Sequence, residues 1–354
     1  MSVFQFKNYD FAQHRFTKRI VGICGRNGAG KTNLLDAIHY LCFTKSYFSR
    51  SDAANVKHGS QGFRIEGHLQ LNGQEEKAVC ILRETGKKEF LLNDEGYSRF
   101  SRHIGRYPCV VIAPDDVELI IGGSEERRRF VDTILSQLDP GYLQALIQYT
   151  RILQQRNSFL RSLQDGYDRD LSVLDVLDSQ LTREGDFVFK KRAAFLQDFL
   201  PLATKRYLEI SGQHEPIALV YDSELHQSSL AELLRVTRQK DKVLQRTSAG
   251  VHRDDLLFRM GDQNFRGIAS QGQRKSLLFA LKLAEMDILK QEKGFSPLLL
   301  LDDVFEKLDE ERITNLLAHV CSDTETQIFI TDTNCRRLAD GLEKIGQEGQ
   351  MISL

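Results

Sequence analysis

A glycine-rich loop between a β-rich run and a helical run constrains the fold of this chain more than any other feature. The segment from Gly25 to Thr32 reads Gly-Arg-Asn-Gly-Ala-Gly-Lys-Thr and matches the phosphate-binding pattern G-x-x-x-x-G-K-[ST] in full. Apolar residues recur at helical spacing from Leu34 to Leu41, directly after the loop. Such a loop turns backbone N–H groups toward phosphate at a helix N-terminus, whose dipole favours anions. The pattern predicts an α/β fold that binds a nucleotide.

Each residue type in this Walker A loop has a chemical role. Lys31 is expected to reach the β- and γ-phosphates, and the Thr32 hydroxyl is expected to ligate Mg²⁺. ATP and Mg²⁺ are therefore the predicted cofactors. The predicted nucleotide-binding residues of the loop are Gly25, Arg26, Asn27, Gly28, Ala29, Gly30, Lys31, Thr32 and Asn33.

An acidic pair follows a run of four leucines near the C-terminus. Residues Leu298 to Leu301 predict a strand buried on both faces, whose end delivers Asp302 and Asp303 to the phosphate site. Asp302 is the expected Mg²⁺ ligand, and Asp303 is expected to polarise the attacking water. Asp302, Asp303 and Lys31 are the predicted catalytic residues, and Thr32 and Asp302 the predicted metal ligands. An acidic pair at a strand end can also be a turn or a helix cap, but the loop upstream favours catalysis.

A third segment opens a helix about 30 residues before the acidic pair. It reads Ser-Gln-Gly-Gln-Arg from Ser270 to Arg274. A serine and a glycine at a helix N-terminus form an anion cradle, or simply an N-cap. Because it lies upstream of the acidic strand, Ser270, Gln271 and Gly272 are predicted to contact the nucleotide.

The middle of the chain has a different pattern. A 3–4 rhythm of apolar residues runs from Leu143 to Leu163 and is interrupted by Arg156. The rhythm lasts only about three heptads, which favours a short antiparallel helical arm over a long coiled coil. An ordinary helical subdomain fits the same pattern. The predicted domains are 1–113 (first part of an ATPase head), 114–245 (helical arm) and 246–354 (remainder of the head).

Composition limits the other possibilities. The apolar runs are too short to cross a membrane and no signal peptide is recognisable, so a cytoplasmic protein without membrane contact is expected. The six cysteines form no C-x-x-C pair, which argues against zinc and predicts small buried thiols. The net charge of −1 means that any contact with nucleic acid must come from local basic patches.

Taken together, these motifs resemble the RecF family of bacterial recombination-repair ATPases, which are related to the heads of SMC and Rad50. The Ser-Gln-Gly-Gln-Arg form of the signature is the most diagnostic match. Further matching segments lie at 6–9, 33–38, 113–116, 124–130, 252–256 and 298–309. The segment at 6–9 adds Lys7 to the predicted nucleotide-binding residues.

The resemblance implies an ATP-binding-cassette head with an inserted helical arm. It implies that the signature of a second subunit covers the γ-phosphate, so that ATP drives homodimerisation and clamping on double-stranded or gapped DNA. Slow ATP hydrolysis would then release the clamp. The implied partners are the mediators RecR and RecO, which support RecA loading at gaps.

Some positions depart from the family pattern. Asp303 replaces the glutamate of many relatives and is one methylene shorter. The D-loop reads Glu-Lys-Leu-Asp at 306–309 where the family usually has Ser-Glu-Leu-Asp. The segment 329–333 has no switch histidine, which leaves Thr331 or Asp332 as the suggested γ-phosphate sensor.

The predicted DNA contact is the basic and aromatic segment that follows the first helix. Lys45, Arg50 and Lys57 are its cations, and binding is expected to be phosphate-directed, sequence-tolerant and salt-sensitive. For any single basic cluster, a solvated helix face is an equally good interpretation. Arg127 to Arg129 are expected to pair with Glu125 and Glu126 at the junction of head and arm, and His252 is expected to be structural.

Three other classes of protein are less consistent with the sequence. A transporter ATPase subunit would have the motifs close together, whereas roughly 240 residues separate Lys31 from Ser270. The second alternative is a non-catalytic structural clamp or a nuclease-coupled relative. The nuclease-coupled relative needs a second catalytic domain, and about 45 residues follow Asp309. A P-loop kinase would leave the signature helix without a role.

Overall fold

The computed structural model describes residues 1–163, 171–211, 217–305, 317–321 and 323–354. These residues form two compact units, Met1–Asp115 with Met286–Leu354, and Asp116–Glu285. The first boundary lies two residues from the expected one at 113/114. The second does not fall at 245/246: residues 246–285 belong to the helical unit, because strand Asp255–Met260 pairs with strand Ile217–Asp222 of that unit.

The first unit contains most of the strands. In chain order its elements are β1 (Ser2–Phe6), β2 (Tyr9–Gln13), β3 (Ile20–Cys24), α1 (Lys31–Phe43), β4 (Phe63–Leu71), β5 (Gln74–Leu82), β6 (Lys88–Leu92), β7 (Glu95–Gly96) and β8 (Cys109–Ile112). The second unit then contributes α2 (Glu118–Ile121), α3 (Ser124–Leu138), α4 (Pro140–Ser162), α5 (Ser172–Ser211), β9 (Ile217–Asp222), α6 (Leu230–Leu244), β10 (Asp255–Met260), β11 (Gln263–Asn264) and α7 (Phe265–Ile268). The chain continues with α8 (Gln271–Lys293), β12 (Leu298–Leu301), β13 (Ile328–Asp332), α9 (Cys335–Lys344) and β14 (Gly349–Ser353).

A parallel sheet in the order β14-β3-β13-β12-β8 forms the centre of the first unit. Every residue of β3, β8 and β13 is buried, as the continuous apolar runs predict. In a parallel sheet all strands end at the same edge. That edge brings together Cys24, Leu301 and Asp332, and with them the residues that follow each strand.

Helix α1 lies between the parallel sheet and a second, antiparallel sheet of order β2-β1-β4-β5-β6-β7. Its residues Leu34, Leu35 and Ile38 pack on the core of the parallel sheet, and Tyr40 and Leu41 pack on that of the antiparallel sheet. A helix buried on both sides has no polar face, which explains why polar side chains such as Asp36 lie inside. A hairpin turn at 72–73, with the sequence Asn-Gly, joins β4 to β5.

The second unit contains the expected antiparallel helical arm. Arg156 of α4 pairs with Asp178 of α5, and Tyr142 of α4 accepts a hydrogen bond from Arg192 of α5. These two contacts show that α4 and α5 run antiparallel. A three-stranded sheet of order β11-β10-β9 completes the unit. Among the described helices, none combines the length and the apolar character needed to cross a bilayer.

The arginines at 127–129 and His252 have structural partners within this unit. Arg127 binds Asp255, Arg128 donates to the carbonyl oxygen of Asp254, and Arg129 pairs with Glu126. The expected pairing of the three arginines with Glu125 and Glu126 is therefore confirmed for one pair. His252 lies at 2.7 Å from the Tyr149 hydroxyl and is structural, as expected.

Candidate nucleotide site

A cleft of about 470 Å³ opens at the carboxyl edge of the parallel sheet. Residues of the Walker A loop, of the turn after β12 and of the segment after β13 form its walls. The lining residues are Asn27, Gly28, Gly30, Lys31, Thr32, Asn33, Asp303, Phe305, Thr331, Asp332, Thr333 and Arg337. The edge of the sheet thus brings together motifs that are about 270 residues apart in sequence.

Asn8, in the turn between β1 and β2, and Tyr9, the first residue of β2, hold the Walker A loop in place. Asn8 donates to the carbonyl oxygen of Ala29 at 3.1 Å and accepts from the Asn33 side chain at 2.7 Å. The Tyr9 hydroxyl donates to the carbonyl oxygen of Gly30 at 3.0 Å. Gly30 has a φ of 109°, and a Cβ on it would lie 2.5 Å from the Asn8 side chain. The contact therefore requires glycine at this position.

Lys31 is buried, with 4% of its surface exposed. Its Nζ donates to the carbonyl oxygens of Gly25 at 3.0 Å and Arg26 at 3.4 Å. These two loop residues do not line the cleft; they hold the lysine that does. The ammonium group is therefore positioned at the cleft wall, as expected of the Walker A lysine.

A chain of hydrogen bonds connects the loop to both strands that end beside it. Thr32 Oγ1 lies 3.0 and 2.9 Å from the two carboxylate oxygens of Asp302. The Thr331 hydroxyl donates to Asp302 at 2.8 Å and accepts from the backbone N–H of Asp303 at 2.8 Å. Burial raises the pKa of Asp302, while the hydrogen bonds from Thr331 and Thr32 lower it. Of the two hydrogen bonds, the one from Thr331 lowers the pKa of Asp302 more.

Asp303 adopts a backbone conformation that side chains rarely take. Its φ is 44°, in the left-handed region that favours glycine. Strained residues held by a rigid surrounding are concentrated at functional sites. Here the strained turn places Asp303 in the cleft wall directly after the buried strand.

The residues around Thr32 and Asp302 fit Mg²⁺. A hydroxyl and a carboxylate, both hard oxygen ligands, face each other at hydrogen-bond distance. Magnesium usually takes one or two carboxylates together with phosphate oxygens and waters, not a dedicated cage. In keeping with this, the described residues contain no group of three or more His, Cys, Asp or Glu that could hold a metal by themselves.

Arg337 is a second cation of the cleft, which the sequence motifs did not indicate. Its Nε and Nη2 donate to the two carboxylate oxygens of Asp332 at 3.0 and 2.6 Å. Asp332 is 1% exposed, whereas the Arg337 side chain is 38% exposed. The spacing of five residues gave no signal, because it spans a turn between the end of β13 and the start of α9.

Lys7 does not line the cleft. Its Nζ lies 2.6 Å from Asp36, which is fully buried in α1. The same carboxylate accepts from the Ser46 hydroxyl at 2.6 Å and from the Tyr47 backbone N–H at 2.8 Å. Lys7 therefore neutralises a buried acid that anchors the segment after α1, and the expectation that it binds the nucleotide is not supported.

The expected DNA-contact cations differ in their surroundings. Lys45 and Arg50 are exposed on the segment anchored by Asp36. Lys57 pairs with Asp10 at 2.5 Å, which offsets its charge.

The signature segment lies in the second unit. Ser270 Oγ accepts from the backbone N–H of Gln273 at 3.2 Å, and the Gln273 side chain accepts from the Ser270 N–H at 2.7 Å. This reciprocal pair is a capping box at the start of α8. Ser270 and Gln271 are exposed and Gly272 is half-buried. The D-loop at 306–309 lies outside the described residues.

The cysteines depart from expectation at one pair. Cys42, Cys80, Cys109 and Cys321 are buried thiols, as predicted. Cys24 and Cys335 instead form a disulfide, with Cα atoms 5.4 Å apart. The sheet edge brings the end of β3 next to the start of α9, a proximity that a sequence separation of 311 residues conceals.

The site and fold together define an ATPase head of the ATP-binding-cassette type. A model of the RecF/RecN/SMC N-terminal domain matches residues 1–350. The Smc head bound to the C-terminal winged-helix domain of ScpA has the same fold, with a TM-score of 0.54 at 14% identity over 96% of this chain and 90% of that chain.

Within that class the relatives point to one branch. The DNA replication and repair protein RecF of Flavobacterium johnsoniae is 42% identical over 95% of this chain and 94% of its own length. RecF of Bacteroides thetaiotaomicron is 41% identical over 98% of this chain and 94% of its own length. The structure of the recombination mediator protein RecF-ATPrS of the RecFOR pathway has a TM-score of 0.90 at 27% identity, covering all of this chain and 94% of that one. The chain belongs to the RecF family of DNA replication and repair proteins.

Proposed function

We propose that this chain binds Mg-ATP in the cleft and uses it to form a homodimer that clamps double-stranded or gapped DNA. The observation that carries the proposal is the hydrogen-bonded chain from Thr32 through Asp302 and Thr331 to the backbone of Asp303. It unites a Walker A hydroxyl, a Walker B carboxylate and the neighbouring strand at one cleft. Two solved structures of RecF are complexes with ATP and ATPrS, which supports the same ligand here.

Each group of residues in the cleft has a distinct role in the proposed reaction. Lys31 binds β- and γ-phosphate oxygens, and backbone N–H groups of the loop from Asn27 to Asn33 surround the β-phosphate. Thr32 and Asp302 hold Mg²⁺, which neutralises charge on the phosphates when bound. Asp303 orients the water whose oxygen attacks the γ-phosphorus. The bond between that phosphorus and the β–γ bridging oxygen breaks, giving ADP and inorganic phosphate.

The exposed signature segment supports the proposed dimer. Ser270 is held by its capping box with its side chain at the surface, and exposed Ile268 lies two residues before it. A helix N-terminus that is capped and open to solvent is suited to an anion from another molecule. We propose that Ser270, Gln271 and Gly272 of one subunit contact the γ-phosphate held by its partner. Hydrolysis then removes the shared ligand and releases the dimer.

Lys45 and Arg50 are the proposed DNA contacts. They lie exposed on the segment anchored by Asp36, and few cations with no recognition motif favour contacts to the phosphate backbone. The RecFOR pathway named for the solved RecF structures supports RecR and RecO as partners.

The test is light scattering with Mg-ATP and duplex DNA. Wild type should shift from monomer to dimer when ATP is added. Lys31→Ala should bind no ATP and stay monomeric, whereas Ser270→Arg should bind ATP and stay monomeric. Ser98→Arg, at an exposed serine of the first unit, is the matched control and should dimerise like wild type. Normal dimerisation of Ser270→Arg would refute contact in trans.

A further inference from the structure

The cleft contains a positively charged group that neither the Walker A loop nor the acidic pair accounts for. Arg337 lines the cleft together with Lys31, Thr32 and Asp303. Among the described residues, its only hydrogen-bond acceptor is the Asp332 carboxylate, which binds Nε and Nη2. Nη1 is left without such a partner. The guanidinium group is therefore fixed at one edge and open at the other.

The position of Arg337 argues against a purely structural role. It lies in the first turn of α9, where Asn334 already caps the helix by accepting from the backbone N–H groups of Arg336 and Arg337. The dipole of a helix disfavours cations at this end, so an arginine here gains nothing from the helix itself. What it gains is Asp332, a buried carboxylate that accepts two hydrogen bonds and fixes the plane of the guanidinium group.

We propose that Arg337 is a catalytic residue that binds the γ-phosphate of ATP, and that Asp332 is its positioning residue. The inference rests on the proposed binding of ATP in the cleft. The segment 329–333 has no histidine to sense the γ-phosphate, and Arg337 supplies the missing cation from the next helix. The pKa of Arg337 is raised because Asp332 accepts its hydrogen bonds, and the nearby charge of Asp303 adds to this effect, so the group stays charged.

The chemistry gives this cation two functions. Negative charge on the equatorial oxygens of the γ-phosphoryl group is stabilised by fixed cations during transfer to water, and arginine is well suited to this because it binds two oxygens at once. After the γ-phosphate leaves, Arg337 keeps only Asp332. Arg337 therefore favours ATP over ADP, while Lys31 and the loop bind both.

The experiment compares four variants by calorimetric binding of ATP and ADP and by phosphate release with duplex DNA. Arg337→Ala should lower kcat on the order of a hundredfold, the range seen when one fixed charge donor is removed. Its affinity for ATP should fall about tenfold, and its affinity for ADP should change less than twofold. Arg337→Lys should recover part of kcat, because the charge returns without the planar fork. Asp332→Asn should lower kcat less than Arg337→Ala and leave ADP binding intact.

Arg336→Ala is the matched control, since Arg336 lies on the same turn, is exposed and does not line the cleft; it should behave as wild type. Wild-type kcat and ATP preference in Arg337→Ala would overturn the inference. An equal loss of ATP and ADP binding together with a lowered Tm would also overturn it, because that result would show that Arg337 has a structural role. In both cases the proposed function stands if wild type binds ATP and Lys31→Ala does not; if wild type binds no ATP, the proposed function itself fails.

Discussion

Arg156 interrupts the apolar rhythm of α4, and its side chain is completely buried. Its guanidinium group binds Asp178 at 2.6 Å from Nε, and Asp241 at 2.7 Å and Thr247 at 2.9 Å from Nη1. The interaction joins α4, α5 and α6. Asp241 is also fully buried, so removal of the arginine would leave an uncompensated charge in the interior.

Arg156→Ala should therefore destabilise the protein by about 3–5 kcal/mol, the usual cost of breaking one side of a buried ion pair. Chemical denaturation at equilibrium measures this loss. Arg151→Ala, at an exposed arginine of the same helix, is the control and should change stability by less than about 0.5 kcal/mol. Replacement of Asp241 by Asn together with Arg156→Met should recover part of the loss. A loss below about 1 kcal/mol in Arg156→Ala would contradict the role assigned to this residue.

Glu285 is a buried acid of α8 whose charge is only weakly compensated. Burial, and to a lesser extent the nearby charge of Asp116, raises its pKa to about 7, against the opposing effect of Lys282 at 3.6 Å. The folded state therefore holds a proton that the unfolded state, with a pKa of about 4.5, has already released. Stability from this group is complete below pH 4.5 and is lost as the pH rises through about 7.

Glu285→Gln should remove this pH dependence. The difference in unfolding free energy between variant and wild type should grow in favour of the variant from pH 5 to pH 8, by roughly 3 kcal/mol at most. The difference isolates Glu285 from His103 and His252, whose lowered pKa values act in the opposite direction. Denaturation midpoints at the two pH values measure it. A constant difference would show that Glu285 is ionised throughout.

At the scale of elements, the turn between β1 and β2 connects the antiparallel sheet to the nucleotide site. Asn8 and Tyr9 bind the Walker A loop, while Lys7 binds Asp36, about one turn further along helix α1. The strand pairing of β1 with β4 fixes the turn. The loop is thus shaped by an element that precedes it in sequence and that contributes no group to the lining of the cleft.

Asn8→Ala removes two hydrogen bonds from this contact and should weaken ATP binding about tenfold, which corresponds to about 1.4 kcal/mol. The fold should persist, because the sheet register does not depend on this side chain. Calorimetric titration measures the affinity. Gln13→Ala, at an exposed residue at the end of β2, is the control and should bind ATP as wild type does. Equal affinities of Asn8→Ala and wild type would show that the loop holds its shape without the turn.

Features that depend on contacts between residues close in sequence could be predicted, whereas most that depend on distant residues could not. Strand β12, helix α1 and the 72–73 hairpin follow from local periodicity and turn chemistry, and the Walker A and Walker B motifs are brought together because parallel strands end at one edge. The partners of Lys7 and Arg337 could not be predicted, because each depends on the path of a turn between elements. The second unit boundary was missed because the pairing of β9 with β10 encloses residues 246–254.

At the scale of the whole molecule, the net charge of −1 gives no general attraction for nucleic acid. Binding must then depend on a few cations, and Arg50 is exposed without an ion-pair partner among the described residues. Lys57 already pairs with Asp10, so its phosphate contact would compete with an existing ion pair. The two residues should therefore contribute unequally to the salt dependence of DNA affinity.

The slope of log affinity against log salt counts the phosphates that a protein neutralises, at about −0.9 for each contact with duplex DNA. Arg50→Ala should make this slope less negative by about 0.9 and weaken binding equally for unrelated sequences, because a phosphate contact does not read bases. Lys57→Ala should change the slope less, and Arg151→Ala not at all. Fluorescence anisotropy with two duplexes of different sequence, between about 50 and 200 mM salt with ATP present, covers the range over which such contacts weaken binding most. A slope unchanged by Arg50→Ala would exclude Arg50 as a phosphate contact and leave Lys45 as the remaining cation proposed for this segment.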